Sequence, residues 1–182
     1  GATEKSGKNP EYLRYSAAHS TIILQNTNIS EIQKGEIHKR FPKQVSFNCF
    51  SNDNLTIWDA THNGYINNFK KIVKRKLTIE NLTNKISCED SIISLNTKNK
   101  RAVYHIRFHI MPGIQTGLTN NKKGLILKTK KNTKWLFKSE STISLENSIY
   151  VDNNKTQQIQ QIVLSGITSQ NKIIEKWSLE KV

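Results

Sequence analysis

Cysteine is scarce in this chain: among 182 residues only Cys49 and Cys88 occur. They stand far apart with no C-x-x-C spacing, which excludes a zinc ribbon and a dithiol redox motif. Each falls in a strand-like run, so both read as small buried thiols, and nothing in the sequence supports a disulfide between them. Apolar runs are short as well, and none is long enough to cross a bilayer. The opening GATEKSGKNP carries neither a charged nor an apolar signal region. Gly1 has no initiator Met before it and reads as an internal position of a longer protein.

Acidic residues are half as frequent as basic ones, 14 against 28, which gives a net charge of +14. Such an excess raises nucleic acid as a partner. Arginine, the usual reader of bases, is confined to Arg14, Arg40, Arg75, Arg101 and Arg107. The positive charge is overwhelmingly Lys, in a chain also rich in Asn and Ile, a bias that AT-rich coding produces by itself. Most lysines therefore read as solvated surface, and no nucleic acid is expected. Long-range attraction to an anionic polymer, phosphate or uronate, is the remaining meaning of the charge. The N-x-S/T sequons at Asn28, Asn54, Asn81 and Asn154 are what an Asn-rich chain yields by chance.

No sustained apolar period of 3.6 is present. Instead SFNCF, NLTIWDAT, KIVKRKLTIEN, KISCED, VYHIRFHIM, GLILKTK, TKWLFKSE, TISLEN, QQIQQIVLSG and KIIEKWSLEKV alternate with a period of two, which predicts strands. The turn clusters SNDN, HNG, NTKNK, MPG, TNNKK and DNNK separate them, as in an all-β sandwich or barrel. Alternation of Lys74, Lys76 and Thr78 against Arg75, Leu77 and Ile79 predicts antiparallel sheets with one wet face. The expected fold is a two-layer antiparallel β-sandwich, one domain over residues 1–182, with Trp58, Trp135 and Trp177 inside. The irregular stretch NISEIQKGEIHKRFPKQ is long for a connection and is of the kind that lies over a binding surface.

Serine-nucleophile elbows, glycine-rich phosphate loops, paired carboxylates and helical H-E-x-x-H motifs are all missing. What chemistry remains rests on five histidines, at 19, 38, 62, 105 and 109. Alternation puts His105, Arg107 and His109 on one strand face, either as hydrogen-bonded structural residues or as ligand-binding ones. In DATHNGY, the Asn-Gly turn explains Asn63 and Gly64. It leaves His62 and Tyr65 as an imidazole and a phenol at a loop tip, suited to act as acid, base or sugar contact. His19, in RYSAAHSTIIL, sits in what reads as the first strand.

Taken in order, several stretches resemble the C-terminal β-sandwich of heparinase II/III-like bacterial polysaccharide lyases. SAAHSTIILQNTN resembles the family's A-H-S/N-T strand, THNGYINNFKKIVKRKLTI its H-D-G-Y…H-R-R-x-L segment, and CED its G-x-D turn. HIRFHIMPGI resembles its I-R-F-H-L-H-P strand and WLFKSESTISLENSIYV its W-x-F…L-E-E-S-x-Y hairpin. QQIQQIVLSG and KWSLEK resemble its two closing strands. Asn63 stands for the family's Asp, Val73 and Lys74 for its His-Arg, and Met111 for a second His after His109.

The resemblance implies a supersandwich-like fold and a lyase that cleaves uronic-acid-containing polysaccharide by β-elimination. It places the catalytic base and acid, a Tyr with His or Asn, in an N-terminal helical toroid, with a further His on an early sandwich strand. All of them would precede Gly1, so no catalytic residue is expected in this chain and the isolated chain is expected to be inactive. In the heparinase II branch, the His of the A-H-S/N-T strand binds zinc with a His and an Asp from strands just upstream. His19 matches that position, so it is either a metal ligand of the full-length protein or a hydrogen-bonded structural residue. The implied partners are an anionic polysaccharide and the helical domain of the same protein, and the implied location is the periplasm or cell envelope. A non-catalytic carbohydrate-binding sandwich, stacking sugars on its tryptophans, is the alternative.

Overall fold

The computed structural model describes residues 11–34, 36–95, 101–152 and 155–182. The turn expected at NTKNK lies outside them, as do the two central residues of DNNK. After two short 3₁₀ turns, Glu11–Arg14 and Ser16–Ala18, the chain is almost wholly strand. The strands are β1 (Ile22–Leu24), β2 (Ile32–Gln33), β3 (Glu36–Ile37), β4 (Val45–Ser51), β5 (Leu55–His62), β6 (Lys71–Glu80) and β7 (Lys85–Ser94). They continue as β8 (Val103–His109), β9 (Gln115–Leu118), β10 (Gly124–Lys128), β11 (Lys134–Ser139), β12 (Ile143–Asp152), β13 (Lys155–Ile167) and β14 (Lys172–Lys181). One helical turn, α1 (Ile66–Phe69), links β5 to β6 and ends at Lys70 in the left-handed region.

Two unequal sheets stack. The larger has eight strands in the order β4-β5-β6-β7-β14-β11-β10-β9, and the smaller has four in the order β1-β8-β13-β12. Every strand pairing among the described residues is antiparallel, so residues opposite one another share a face. One row of the large sheet therefore carries Val73, Arg75 and Leu77 of β6 beside Ile92, Asp90 and Cys88 of β7. It continues through Ile173, Glu175 and Trp177 of β14. This row meets Ile22, Tyr104, Ile106, Phe108, Ile162 and Leu164 of the small sheet across the core. Each such aliphatic or aromatic side chain contributes about 1.5–3 kcal/mol by leaving water.

An aromatic cluster fixes the middle of the sandwich: Phe108 lies 4.7 Å from the Trp177 ring and 5.3 Å from Phe137. Gly166 faces Tyr104 across β13 and β8. A Cβ there would come within 2.5 Å of the Tyr104 hydroxyl, which is why the position holds glycine.

The two-layer all-β architecture and the ten expected strands are found, and the structure adds the short β2, β3 and β9 that periodicity did not reveal. Three expectations are corrected. RYSAAHSTIIL is a strand only from Ile22, because Ser16 to Ala18 form a 3₁₀ turn that ends at His19. Trp58 is not inside: it lies beyond the edge of the small sheet and is 42% exposed. Cys49 is exposed for the same reason, whereas Cys88 is buried, and both thiols are free.

Candidate functional site

The segment that carries His19 is held from three directions. Ser16 donates its N–H to Asn28 Oδ1 at 2.9 Å, and its hydroxyl accepts the Ile29 N–H at 2.8 Å. From the small sheet, His109 Nε2 donates to the Ala17 carbonyl at 3.0 Å. From the large sheet, Arg75 Nη1 donates to the Ser20 carbonyl at 2.5 Å. His19 itself, between those anchored carbonyls, is exposed, and among the described residues no hydrogen bond holds its ring.

Arg75 acts from inside the sandwich. Its Nε and Nη2 donate to the two oxygens of Asp90, at 2.6 and 2.8 Å, and Asp90 is fully buried. Trp177 Nε1 donates to the same carboxylate at 3.0 Å. The guanidinium also lies 5.9 Å from the Phe108 and Trp177 ring centres. Burial works against the Arg75 charge, but the bidentate Asp90 partner outweighs it and raises the guanidinium pKa. Burial, with the Asp90 charge added, pushes the neighbouring Cys88 thiol up, so it stays protonated.

His109 is engaged at both ring nitrogens. Because a carbonyl only accepts, Nε2 carries the proton in the neutral ring, and Nδ1 accepts from the Ser148 hydroxyl at 2.9 Å. Desolvation lowers its pKa, the bond to Ala17 opposes this, and the His19 and Arg107 charges lower it further. His105 pairs with the Ser165 hydroxyl at 2.7 Å. Desolvation first, then Arg107, lowers its pKa. His105, Arg107 and His109 share the outer face of β8, as alternation predicts, with Ile106 and Phe108 turned to the core.

His62 and Tyr65 are neighbours, with ring centres 5.9 Å apart, yet they do not form an open site. Tyr65, expected at a loop tip, is fully buried. Its hydroxyl lies 3.1 Å from the Ile22 and Thr27 carbonyls. Burial raises the phenol pKa, so it remains a protonated donor that ties the β5–α1 turn to β1. His62 is half-buried: Nδ1 accepts the Gly64 N–H at 3.3 Å, and buried Nε2 has no partner among the described residues. Desolvation lowers its pKa and keeps the ring neutral.

The irregular stretch 28–44 packs on this same turn. Asn63 Oδ1 accepts the N–H groups of Lys43 and Gln44 at 3.0 and 3.1 Å. Arg40 Nη1 donates to the Ile29 and Gly64 carbonyls. The segment thus closes over the turn instead of leaving a cleft.

Sequence reasoning missed two buried polar networks. One is Arg75–Asp90–Trp177; the other is Glu175, which accepts from the hydroxyls of Tyr104, Ser139 and Ser141. The available signal was phase: Arg75, Asp90 and Glu175 all sit on the inward beat of alternating strands. On the opposite face of the large sheet, a groove of about 430 Å³ is lined by Lys76, Lys85, Glu89, Lys138 and Lys176. Lys138 pairs there with Glu180, and Glu80 lies 4.0 Å from Lys85, so carboxylates interrupt the lysines. This is not the continuous basic face that a nucleic-acid duplex requires.

The residues at hand do not fit a zinc ion. Among the described residues no group of three His, Cys, Asp or Glu gathers anywhere, and His109, whose ring feels the His19 charge, has both nitrogens occupied. Among the described residues no helix is long and apolar enough to cross a membrane.

A search of the curated proteins finds no match. Among solved structures, heparan sulfate lyase HepC from Pedobacter heparinus has a similar fold, with a TM-score of 0.73 and 14% sequence identity. The match covers 93% of this chain and 25% of the HepC chain. A heparinase III structure is similar at a TM-score of 0.69 and 11% identity, over 94% of this chain and 24% of its own. The chain therefore spans about a quarter of the length of these structures. The model of the family described as "Heparinase II/III-like, C-terminal" matches residues 2–178. With nearly its whole length matched, the chain belongs to the heparinase II/III-like C-terminal domain family.

Proposed function

We propose that this chain is the C-terminal sandwich of a lyase that cleaves a uronic-acid-containing polysaccharide by β-elimination. The observation that carries the reading is the family match over residues 2–178 on a sandwich shared with heparin-type lyases. β-Elimination needs a neutralised uronate carboxylate, a base for the C5 proton and an acid for the departing O4. The described residues are poor sources of that pair. Tyr65 is buried and protonated, His109 is tied at both nitrogens, and His62 is held by its turn.

The base and acid belong, on this reading, to another part of the parent polypeptide, and this sandwich supplies the frame against which they work. His19 is the side chain retained for ligand contact, because its backbone is anchored while its imidazole is exposed. A zinc ion in the full-length protein would draw its remaining ligands from outside these residues. The net positive charge attracts an anionic polysaccharide at long range. A periplasmic or envelope location belongs to the same reading and rests on the family.

The test is product chemistry. Parent protein incubated with heparan sulfate, alginate or another uronate polymer should release fragments bearing a 4,5-unsaturated uronate and lacking the water that hydrolysis adds. Hydrated products, or none from any uronate polymer, would sink the lyase reading.

A further inference from the structure

We infer that the outer face of the large sheet carries a second binding site, a groove that holds an anionic polysaccharide apart from the cleavage chemistry. The choice of a uronate chain as that polymer rests on the reading above, whereas the groove itself does not. Register carries the first step. Thr78 of β6 stands opposite Ser87 of β7, and Ser87 stands opposite Ser178 of β14. These short side chains form one row across three strands, on the face turned away from the core and from the His19 segment that inward-facing Arg75 holds.

Rows of longer side chains flank it. On one side Glu89 lies between Lys76 and Lys176, and on the other Lys85 lies between Glu80 and Glu180. Short residues between long ones make a trench, the groove of about 430 Å³, which is the size of a small-ligand site. With strands about 4.8 Å apart, its floor runs about 10 Å from β6 to β14. The same row continues to Lys138 at one end and to Ile57 and Phe50 at the other. Phe50 is 57% exposed and offers an aromatic face to a sugar ring.

The chemistry of the lining selects the occupant. Among the described residues no hydrogen bond engages the three floor hydroxyls, and neither Lys76 nor Lys176 closes an ion pair with the Glu89 opposite it. The lysines that carboxylates meet are Lys138, by Glu180, and Lys85, by Glu80. The groove therefore presents hydroxyls that donate and accept, two ammonium groups two strands apart, and a carboxylate between them. A nucleic acid, with a phosphate at every step, would bring negative charge onto Glu89. Lys and Glu at the centre of the surface also argue against a protein partner, whose interfaces are depleted of both. A uronate chain fits the pattern: its spaced carboxylates meet the lysines, and the sugar hydroxyls between them meet Glu89 and the floor. A chain held here and at a cleavage site on the same polypeptide gains effective concentration at that site.

Lysine footprinting reads the site directly. The folded parent protein receives a pulse of an acetylating N-hydroxysuccinimide ester, short against any digestion, with heparan sulfate, alginate, neutral dextran or no polymer. Labelling of each lysine is followed by peptide mass spectrometry, with exposed Lys155 beside the β12–β13 turn as the reference. Heparan sulfate or alginate should slow Lys76 and Lys176 at least about threefold, and dextran should not. The double variant Lys76→Gln, Lys176→Gln removes two exposed charges and should bind the protecting polymer about fivefold more weakly in affinity gels, with an unchanged urea midpoint. Equal labelling with and without both anionic polymers would overturn the inference. So would equal slowing at Lys155, which marks diffuse charge attraction, or slowing by duplex DNA as strong as by the polysaccharide. Protection without elimination products would leave the groove standing and defeat the lyase reading alone, and elimination without protection would do the reverse.

Discussion

Arg75, on the inner face of β6, reaches the Ser20 carbonyl at 2.5 Å, one residue past His19. The same guanidinium closes a bidentate pair with buried Asp90, so the core of the sandwich and the placement of the His19 segment depend on one side chain.

Replacing Arg75 with Ala leaves Asp90 buried and short of its cation. The expected cost is about 3–5 kcal/mol, the usual result of breaking a buried pair from one side. Urea unfolding measures it, and Arg75→Lys should recover only part because an ammonium cannot repeat the forked geometry. Hydrogen exchange should also quicken at residues 15–21, where the Ser20 anchor is lost. An unchanged unfolding midpoint in Arg75→Ala would refute the role.

Tyr65→Phe keeps the ring in the core and removes one donor facing two carbonyls. Destabilisation of about 1–3 kcal/mol is expected by chemical denaturation, with the fold retained by circular dichroism. An unchanged unfolding midpoint would mean that the hydroxyl contributes no net stability through the Ile22 and Thr27 carbonyls.

Stability should fall as pH drops below 7. The pKa values of His62, His105 and His109 lie below the ordinary histidine value, with desolvation as the first cause. A depressed folded-state pKa means that the unfolded chain binds protons first, from about pH 6.5 downward. The stabilisation is therefore full above that pH and is lost as pH falls through the folded values. His109 faces His19 and Arg107, whose charges add to the effect. His109→Gln should flatten the fall in urea midpoint between pH 7.5 and pH 5; an identical slope would exclude His109 as a contributor.

Gly64→Ala should destabilise by about 1–3 kcal/mol through overpacking. A Cβ there would lie 2.7 Å from Ile29 Cγ2 and 3.1 Å from the Ile29 carbonyl oxygen. Differential scanning calorimetry of the variant reads the cost directly.

The architecture was legible because two-period strands with Asn- and Gly-rich turns admit few other folds. Arg75, Leu77 and Ile79 fell on the inward phase as alternation predicts. Less was legible at the site. RYSAAHSTIIL alternates like a strand, yet the Ser16 side chain serves Ile29 while Asn28 serves Ser16, and these distant bonds fold the segment into a turn. Tyr65 reads as a loop-tip phenol because nothing local shows that stretch 28–44 and β1 close around it. Trp58 reads as core because periodicity reports which face a residue takes, not whether the opposite layer extends over it.

The most direct measurement follows the ultraviolet absorbance of unsaturated uronate when the parent protein and this 182-residue chain are each given the same uronate polymers. The account predicts a steady rise with the parent and none with the chain alone. A rise with the chain alone would place the base and acid among these residues and contradict it.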